Sequence, residues 1–327
     1  MLGLGVSSAS QLGGTAFALE NSILAAFKTR VLADSGVVED YACLNLDVKD
    51  LITEPAPFTT GLLEFYPGAA AAYSLRQLRR SVSPYAIRVR RSSDNTEQDI
   101  GFNSNGELDT NALLDFAGSG DAWVTTWYDQ SSNGNDATQG TNDNQPQIVS
   151  SGSLITENGK PALQFDGSDD FMTSGDYIVE LSQNPASLFC VSNQTPPAIA
   201  QYILSEGDVV SPYSSNFILG SALAGEILWV NGTTLGTMQA GQVLIGFDWD
   251  ETNATAFING SQSGSPTPVT ANTETSLYSY IGRNATTGSS GTFFTGKIQE
   301  LITYKSDQSS NRTGIETNVN DFYSIYS

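Results

Sequence analysis

Histidine is missing from all 327 residues, and its absence removes every mechanism built on imidazole: Ser-His-Asp and Cys-His hydrolysis, HExxH zinc chemistry and His-ligated metals. Carboxylate chemistry or binding remains. Basic residues are scarce as well, 14 Lys and Arg against 35 Asp and Glu, for a formal net charge of −21. Such a surface repels phosphate backbones and anionic lipid, so nucleic acid and membrane are poor partners. The two cysteines, Cys43 and Cys190, lie far apart, each inside an apolar run and neither with C-x-x-C spacing; they read as small buried hydrophobes. Long hydrophobic runs are also lacking. Met1-Leu-Gly-Leu-Gly-Val-Ser-Ser has neither the basic region nor the apolar stretch of a signal or membrane span, which leads us to expect a chain made in the cytosol.

What is there divides in two. Residues 1–60 form a short leader in which Phe17, Ile23, Leu24, Phe27, Val31 and Leu32 fall at near-helical spacing over Ala16–Asp34, with Gly36 placed as a C-terminal cap. Glu54-Pro-Ala-Pro57 reads as a hinge. The leader is expected either to pack on the same domain or to dock it to a larger assembly. Residues 61–327 form the main body. There the pattern predicts a helix over Ala69–Val82, a strand over Tyr85–Arg91 with an acidic turn after it, and a capped helix over Asp109–Phe116 closed by Gly118. Beyond Asp121 come short strands, among them Trp123–Tyr128, Ala162–Phe165, Ser187–Ser192, Ile227–Val230, Gln242–Phe247, Ala254–Ile258 and Lys297–Tyr304, separated by Gly, Asn, Asp, Pro and Ser clusters. This is the pattern of a mainly β, antiparallel β-sandwich with a few peripheral helices. Ile315, Val319, Phe322 and Tyr326 predict a terminal helix covering one end of it.

Six of the nine arginines lie between Arg76 and Arg91, while Pro161 to Gly282 holds no Lys or Arg. The arginines either pair with Asp94, Glu97 and Asp99 and blunt an edge strand, or form a patch for an acidic partner or anionic glycan. The most distinctive string is Trp127-Tyr-Asp-Gln-Ser-Ser-Asn-Gly-Asn-Asp136. Its Trp127, Tyr128, Asp129, Asn133 and Asn135 are candidate glycan-binding residues, since an aromatic platform beside Asx oxygens and amides suits sugar hydroxyls. The same oxygens in a tight turn would suit calcium, although spacing alone does not establish a metal site. The competing readings are a self-bonded turn and, for the two aromatics, core packing.

Ala72-Tyr-Ser-Leu-Arg-Gln-Leu78, Ile87-Arg-Val-Arg-Arg-Ser-Ser-Asp94 and Thr126-Trp-Tyr-Asp-Gln-Ser-Ser-Asn-Gly-Asn135 together resemble the catalytic domain of α-L-arabinofuranosidase B. Downstream, Pro161–Phe171, Phe257-Ile-Asn-Gly260, Tyr280-Ile-Gly-Arg283 and Gly296–Tyr304 resemble a laminin-G, concanavalin A-like jelly roll, the same kind of sandwich. The resemblance implies a carboxylate pair. The family's acid/base aspartate precedes a Gly-Thr-Phe-aromatic element, here Gly291-Thr-Phe-Phe294, and counting back reaches Asn284, an amide that cannot act as a general acid. Glu206 in Leu204-Ser-Glu-Gly207 is the nearest counterpart of the nucleophile, with Asp248 or Asp250 as alternatives, and the family's vicinal cysteine pair has no match.

Such jelly rolls behind a leader with no export signal also resemble bacteriophage virion proteins, as does the segment Phe27–Gly36. This implies a non-catalytic head fibre, decoration protein or tail adhesin on the particle exterior. It would be docked to other virion proteins through its leader, self-associated, without a cofactor, and turned towards a cell-surface polysaccharide. The alternative expectation is a retaining glycosidase acting on arabinofuranosides or a related polysaccharide, with Glu206 as nucleophile. A free glycan-binding module is the third.

Overall fold

In the computed structural model of the chain, the residues described are 61–80, 83–179, 185–194, 201–207, 215–221, 226–230, 233–237, 239–269, 278–285 and 293–327. The expected leader helix, Cys43 and the Glu54–Pro57 hinge lie outside them. The principal strands are β1 (Ala69–Ser74), β2 (Tyr85–Arg91), β3 (Glu97–Gly101), β4 (Ala122–Trp127), β5 (Leu163–Asp166), β6 (Met172–Ser174), β7 (Ala186–Gln194), β8 (Gln201–Gly207), β9 (Gly241–Trp249), β10 (Asn253–Ile258), β11 (Tyr278–Ile281) and β12 (Thr295–Tyr304). The helices are α1 (Leu62–Phe65), α2 (Thr110–Ala117) and α3 (Arg312–Tyr323). The fold is mainly β and antiparallel, as expected of a sandwich.

β12 organises one sheet. Along one edge its first half pairs with β5 and its second half with β1, and along the other it pairs with β7, which pairs in turn with β9 and then β10. The second run of strands is β3–β2–β4, which the short strand Ala137–Thr138 links to β6, followed by β11 and β8. Between them lies the main core, including Tyr73, Trp127, Phe165, Phe247, Ile281 and Phe294. A smaller core covers the other face of the β12 sheet, where Leu62 and Leu63 of α1 and Ile315, Val319 and Tyr323 of α3 meet Ala72, Phe189, Val191, Leu244 and Ile302. The terminal helix therefore lies on a sheet face and does not cap an end.

Two local readings hold and one fails. The side chain of Asp109 accepts from the Ala112 amide at 3.0 Å and Gly118 closes α2, as the capping pattern predicts. Arg88 pairs with Glu97 and Asp99, and Arg91 with Asp94, along the exposed β2–β3 hairpin. The helix expected at Ala69–Val82 begins instead as strand β1, whose six residues are all buried. Alanine's helical preference is a fraction of a kcal/mol per residue. It yields here to pairing with β12 on one side and to small side chains that fit between the main core and the α1–α3 layer.

Candidate functional site

The Tyr-Asp-Gln loop turns its polar atoms inward. Both oxygens of Asp129, itself 4% exposed, accept hydrogen bonds: Oδ1 from the amides of Ala72 and Ser131, Oδ2 from the Ser131 hydroxyl and the Asn135 amide. The Asn133 side chain donates to the carbonyls of Ala69 and Ala70, and that of Asn135 to Ala70. Gln130 accepts from the Leu78 amide and donates to the carbonyls of Ser74 and Arg76. These groups clamp β1 and the segment after it in place. Trp127 is fully buried against Tyr73, and the Tyr128 hydroxyl donates to Asp99 at 2.6 Å. Trp127 thus serves the core and the loop's amide nitrogens bond the chain itself, while Asn133 stays exposed; of the oxygens considered for calcium, those of Asp129 and one of Asp136 already accept from backbone donors.

Glu206 lies on β8 with 1% of its surface exposed. Its Oε1 accepts from the amides of Ile178 and Val179, at 2.8 and 2.7 Å, and from the Ser279 hydroxyl at 2.7 Å. Ser279 stands directly opposite on β11, so both side chains point to the same, interior face of the sheet. Asn284 is not brought to this carboxyl. It lies beyond the end of β11, past Gly282 at φ +91°, and its side chain bonds the Tyr202 hydroxyl; Tyr202 stands four residues before Glu206 on β8, roughly 13 Å along that strand at about 3.3 Å per residue. A retaining pair needs about 5–5.5 Å. Asp248 is buried within β9, accepts from the Ser187 hydroxyl at 2.6 Å and is pushed up to about 6 by burial. Asp250 lies in the following turn and bonds the amides of Thr252 and Asn253.

Spacing alone did not reveal two further clusters. Asp166, Asp169 and Asp170 place one oxygen each within 4.8 Å of one another after β5. Burial pushes Asp170 up to about 7, and Asp169 is raised as well, by partial desolvation and by its acidic neighbours. The one oxygen each brings together makes three of the six to eight that calcium takes, and Asp170 Oδ2 already accepts from the Asp166 amide. The second cluster is aromatic: Phe171, Tyr278, Tyr280 and Phe293 lie with neighbouring ring centroids 6.3–6.5 Å apart. Their signal was the alternation in Tyr278-Ser-Tyr280.

Comparison with known proteins now bears on this geometry. Residues 65–164 match a family model described as α-L-arabinofuranosidase B, catalytic. Among solved structures, a GH54 α-L-arabinofuranosidase soaked with a cyclic sulfate inhibitor is similar at 16% identity and a TM-score of 0.59. An arabinofuranosidase complexed with arabinofuranosyl-α-1,2-xylobiose is similar at 17% and 0.57. Each match covers 79% of this chain and 64% of the other, so the chain spans about 64% of the length of the enzymes it resembles. At such identity the likeness establishes a shared fold. No curated protein sequence matches. The arabinofuranosidase match overturns the expectation of a non-catalytic virus-particle protein and its fibre, decoration and adhesin roles: the domain matched is a glycosidase's.

Proposed function

We propose that the chain is a glycoside hydrolase of the arabinofuranosidase type, acting with retention on arabinofuranosides or a related polysaccharide, with Glu206 as nucleophile. The observation that carries this reading is the match of residues 65–164 to the catalytic-domain family, supported by the fold likeness over 79% of the chain. Glu206 would attack the anomeric carbon through one carboxylate oxygen while the C–O bond to the leaving group breaks, and water would then release the sugar. Three donors fix the carboxyl's orientation. With Glu206 only 1% exposed, access for a sugar requires neighbouring segments such as Ile178–Val179 to shift.

Asn284 supplies no proton to the leaving oxygen. Turnover should therefore favour aryl glycosides, whose phenolate departs unprotonated, over alkyl glycosides. Because the Asn284 side chain is tied to Tyr202, four residues from Glu206 on β8, Asn284→Asp is expected to leave that preference unchanged. Steady-state rates on 4-nitrophenyl and methyl α-L-arabinofuranoside test both points. A strong gain on the methyl glycoside in Asn284→Asp would place position 284 at the bond being broken and refute the separation argued here.

A further inference from the structure

Between Lys160 and Lys297 the chain has one basic residue, Arg283, among twelve acidic ones. It is half-buried at the end of β11, its guanidinium 4.5 Å from the Phe171 ring centroid and 4.6 Å from that of Tyr280. Its Nε donates to the Asn284 carbonyl at 3.1 Å. Among the described residues no carboxylate forms an ion pair with it, and its terminal nitrogens have no hydrogen-bond acceptor. The contrast with other arginines is informative. Arg76 meets Glu300 through two bonds of 2.8 and 2.9 Å, and Arg91 meets Asp94 in the same bidentate way. Desolvation without a counter-charge disfavours the cation and lowers its pKa.

The surroundings are those of a binding platform. Tyr278 and Tyr280 flank Ser279 on β11 and so project from the face opposite Glu206. With Phe171 and Phe293 they form a continuous run of rings, of which Tyr278 is 39% exposed, Phe171 and Phe293 are partly so, and Tyr280 is buried beneath them at 7%. Flat rings stack against the C–H faces of sugars, and a guanidinium fork matches a carboxylate bidentately. We propose that Arg283 and these rings bind a uronic acid residue of a glycan, with Tyr278, Phe171 and Phe293 taking the sugar face and the free edge of the guanidinium taking its carboxylate. The sugar class rests on the glycan-directed reading above; the anion preference rests on Arg283 itself. The site lies on the other face of the sheet from Glu206 and is a binding surface separate from the bond-cleaving one.

Calorimetric titration of the full chain with tri-galacturonate and with its neutral analogue galactotriose tests this, using Arg283→Lys and Arg283→Met. Lysine keeps the charge and loses the fork. The expected result is saturable binding of the uronate, weakened about ten-fold or more in both variants, with the neutral sugar bound more weakly than the acid and indifferently to the substitutions. Equal uronate affinity in wild type and both variants would overturn the proposal, as would sodium acetate binding as tightly as tri-galacturonate, which would mark a simple anion site. Circular dichroism checks that each variant is folded, and Arg283→Lys preserves the stacked cation if Arg283→Met is not. Glu206→Gln, on the opposite face, should leave uronate binding intact. Absence of arabinofuranoside turnover in the wild type would therefore defeat the function proposed above while the titration still decided this inference.

Discussion

Asp129 shows how a string that looks made for a ligand can be made for the chain. Four donors converge on its carboxylate, three of them backbone amides, one from Ala72 far away in sequence and two from the tight turn after it, and the loop so formed fixes β1. Replacing it by Asn turns one acceptor oxygen into a donor facing another donor. Asp129→Asn should cost about 1–3 kcal/mol, the penalty of a buried unsatisfied group, read as a lower urea midpoint at unchanged slope. The sequence made the motif visible but not the direction of its side chains. Asx residues serve self-bonded turns and ligand sites with the same atoms, and only the position of the Ala69–Ala72 backbone beneath them distinguishes the two. Arg283 was hidden for the converse reason, since its aromatic neighbours come from distant strands and no local pattern announces them.

Among the elements, period-two alternation identified β2, and short apolar runs set off by Gly, Asn, Asp, Pro and Ser clusters identified β4, β7, β9, β10 and β12, of which β7, β9 and β12 are buried on both faces over most of their length. β1 was misread since alanines pack on both faces and the helical propensity had nothing local to oppose it. Ser261–Pro268 also escaped, being almost wholly polar and exposed beside β10. The seat of α3 depends on a glycine in β9: a Cβ at Gly246 would lie 2.9 Å from Glu316 Oε1 and 3.2 Å from Phe257 Cβ. Gly246→Ala should cost about 1–3 kcal/mol through overpacking, with faster amide exchange confined to α3 as its signature. Beside it, Asp248 and Glu316 are 6% and 2% exposed, and each keeps one oxygen without a partner. Arg312 bonds the other oxygen of Glu316, and Asp307 and the neutral Tyr326 phenol complete the titratable surroundings.

Burial, more than neighbouring charge, pushes Asp248 up to about 6 and Glu316 up to about 7. The folded protein then retains protons that the unfolded chain has released between about pH 4 and pH 7, so this pair makes stability fall as pH rises through that window. Asp248→Asn should flatten the fall and raise stability at pH 8 by about 2 kcal/mol, measured by denaturant titration across pH. An unchanged profile would contradict the pairing. Asp170, also raised to about 7, leaves a residual slope in the variant.

For the molecule as a whole, carboxylate chemistry or binding remained after histidine was eliminated, and the sandwich followed from strand spacing; the fold likeness agrees with the sandwich. Whether the domain cleaves was not legible, because nucleophile and acid must meet in space and their sequence positions carry no distance. The structure holds Glu206 inside the sheet and ties the Asn284 side chain to Tyr202, four residues from Glu206 on β8. The central claim is that Glu206 does chemistry and is not merely a buried anchor for Ile178 and Val179. The direct measurement is 4-nitrophenol release from 4-nitrophenyl α-L-arabinofuranoside by the full chain and by Glu206→Gln, whose amide oxygen can still accept from both backbone amides. The account predicts turnover by the wild type and a loss of roughly a hundred-fold or more in a folded variant. Equal rates for the two proteins, or no turnover by either, would contradict it.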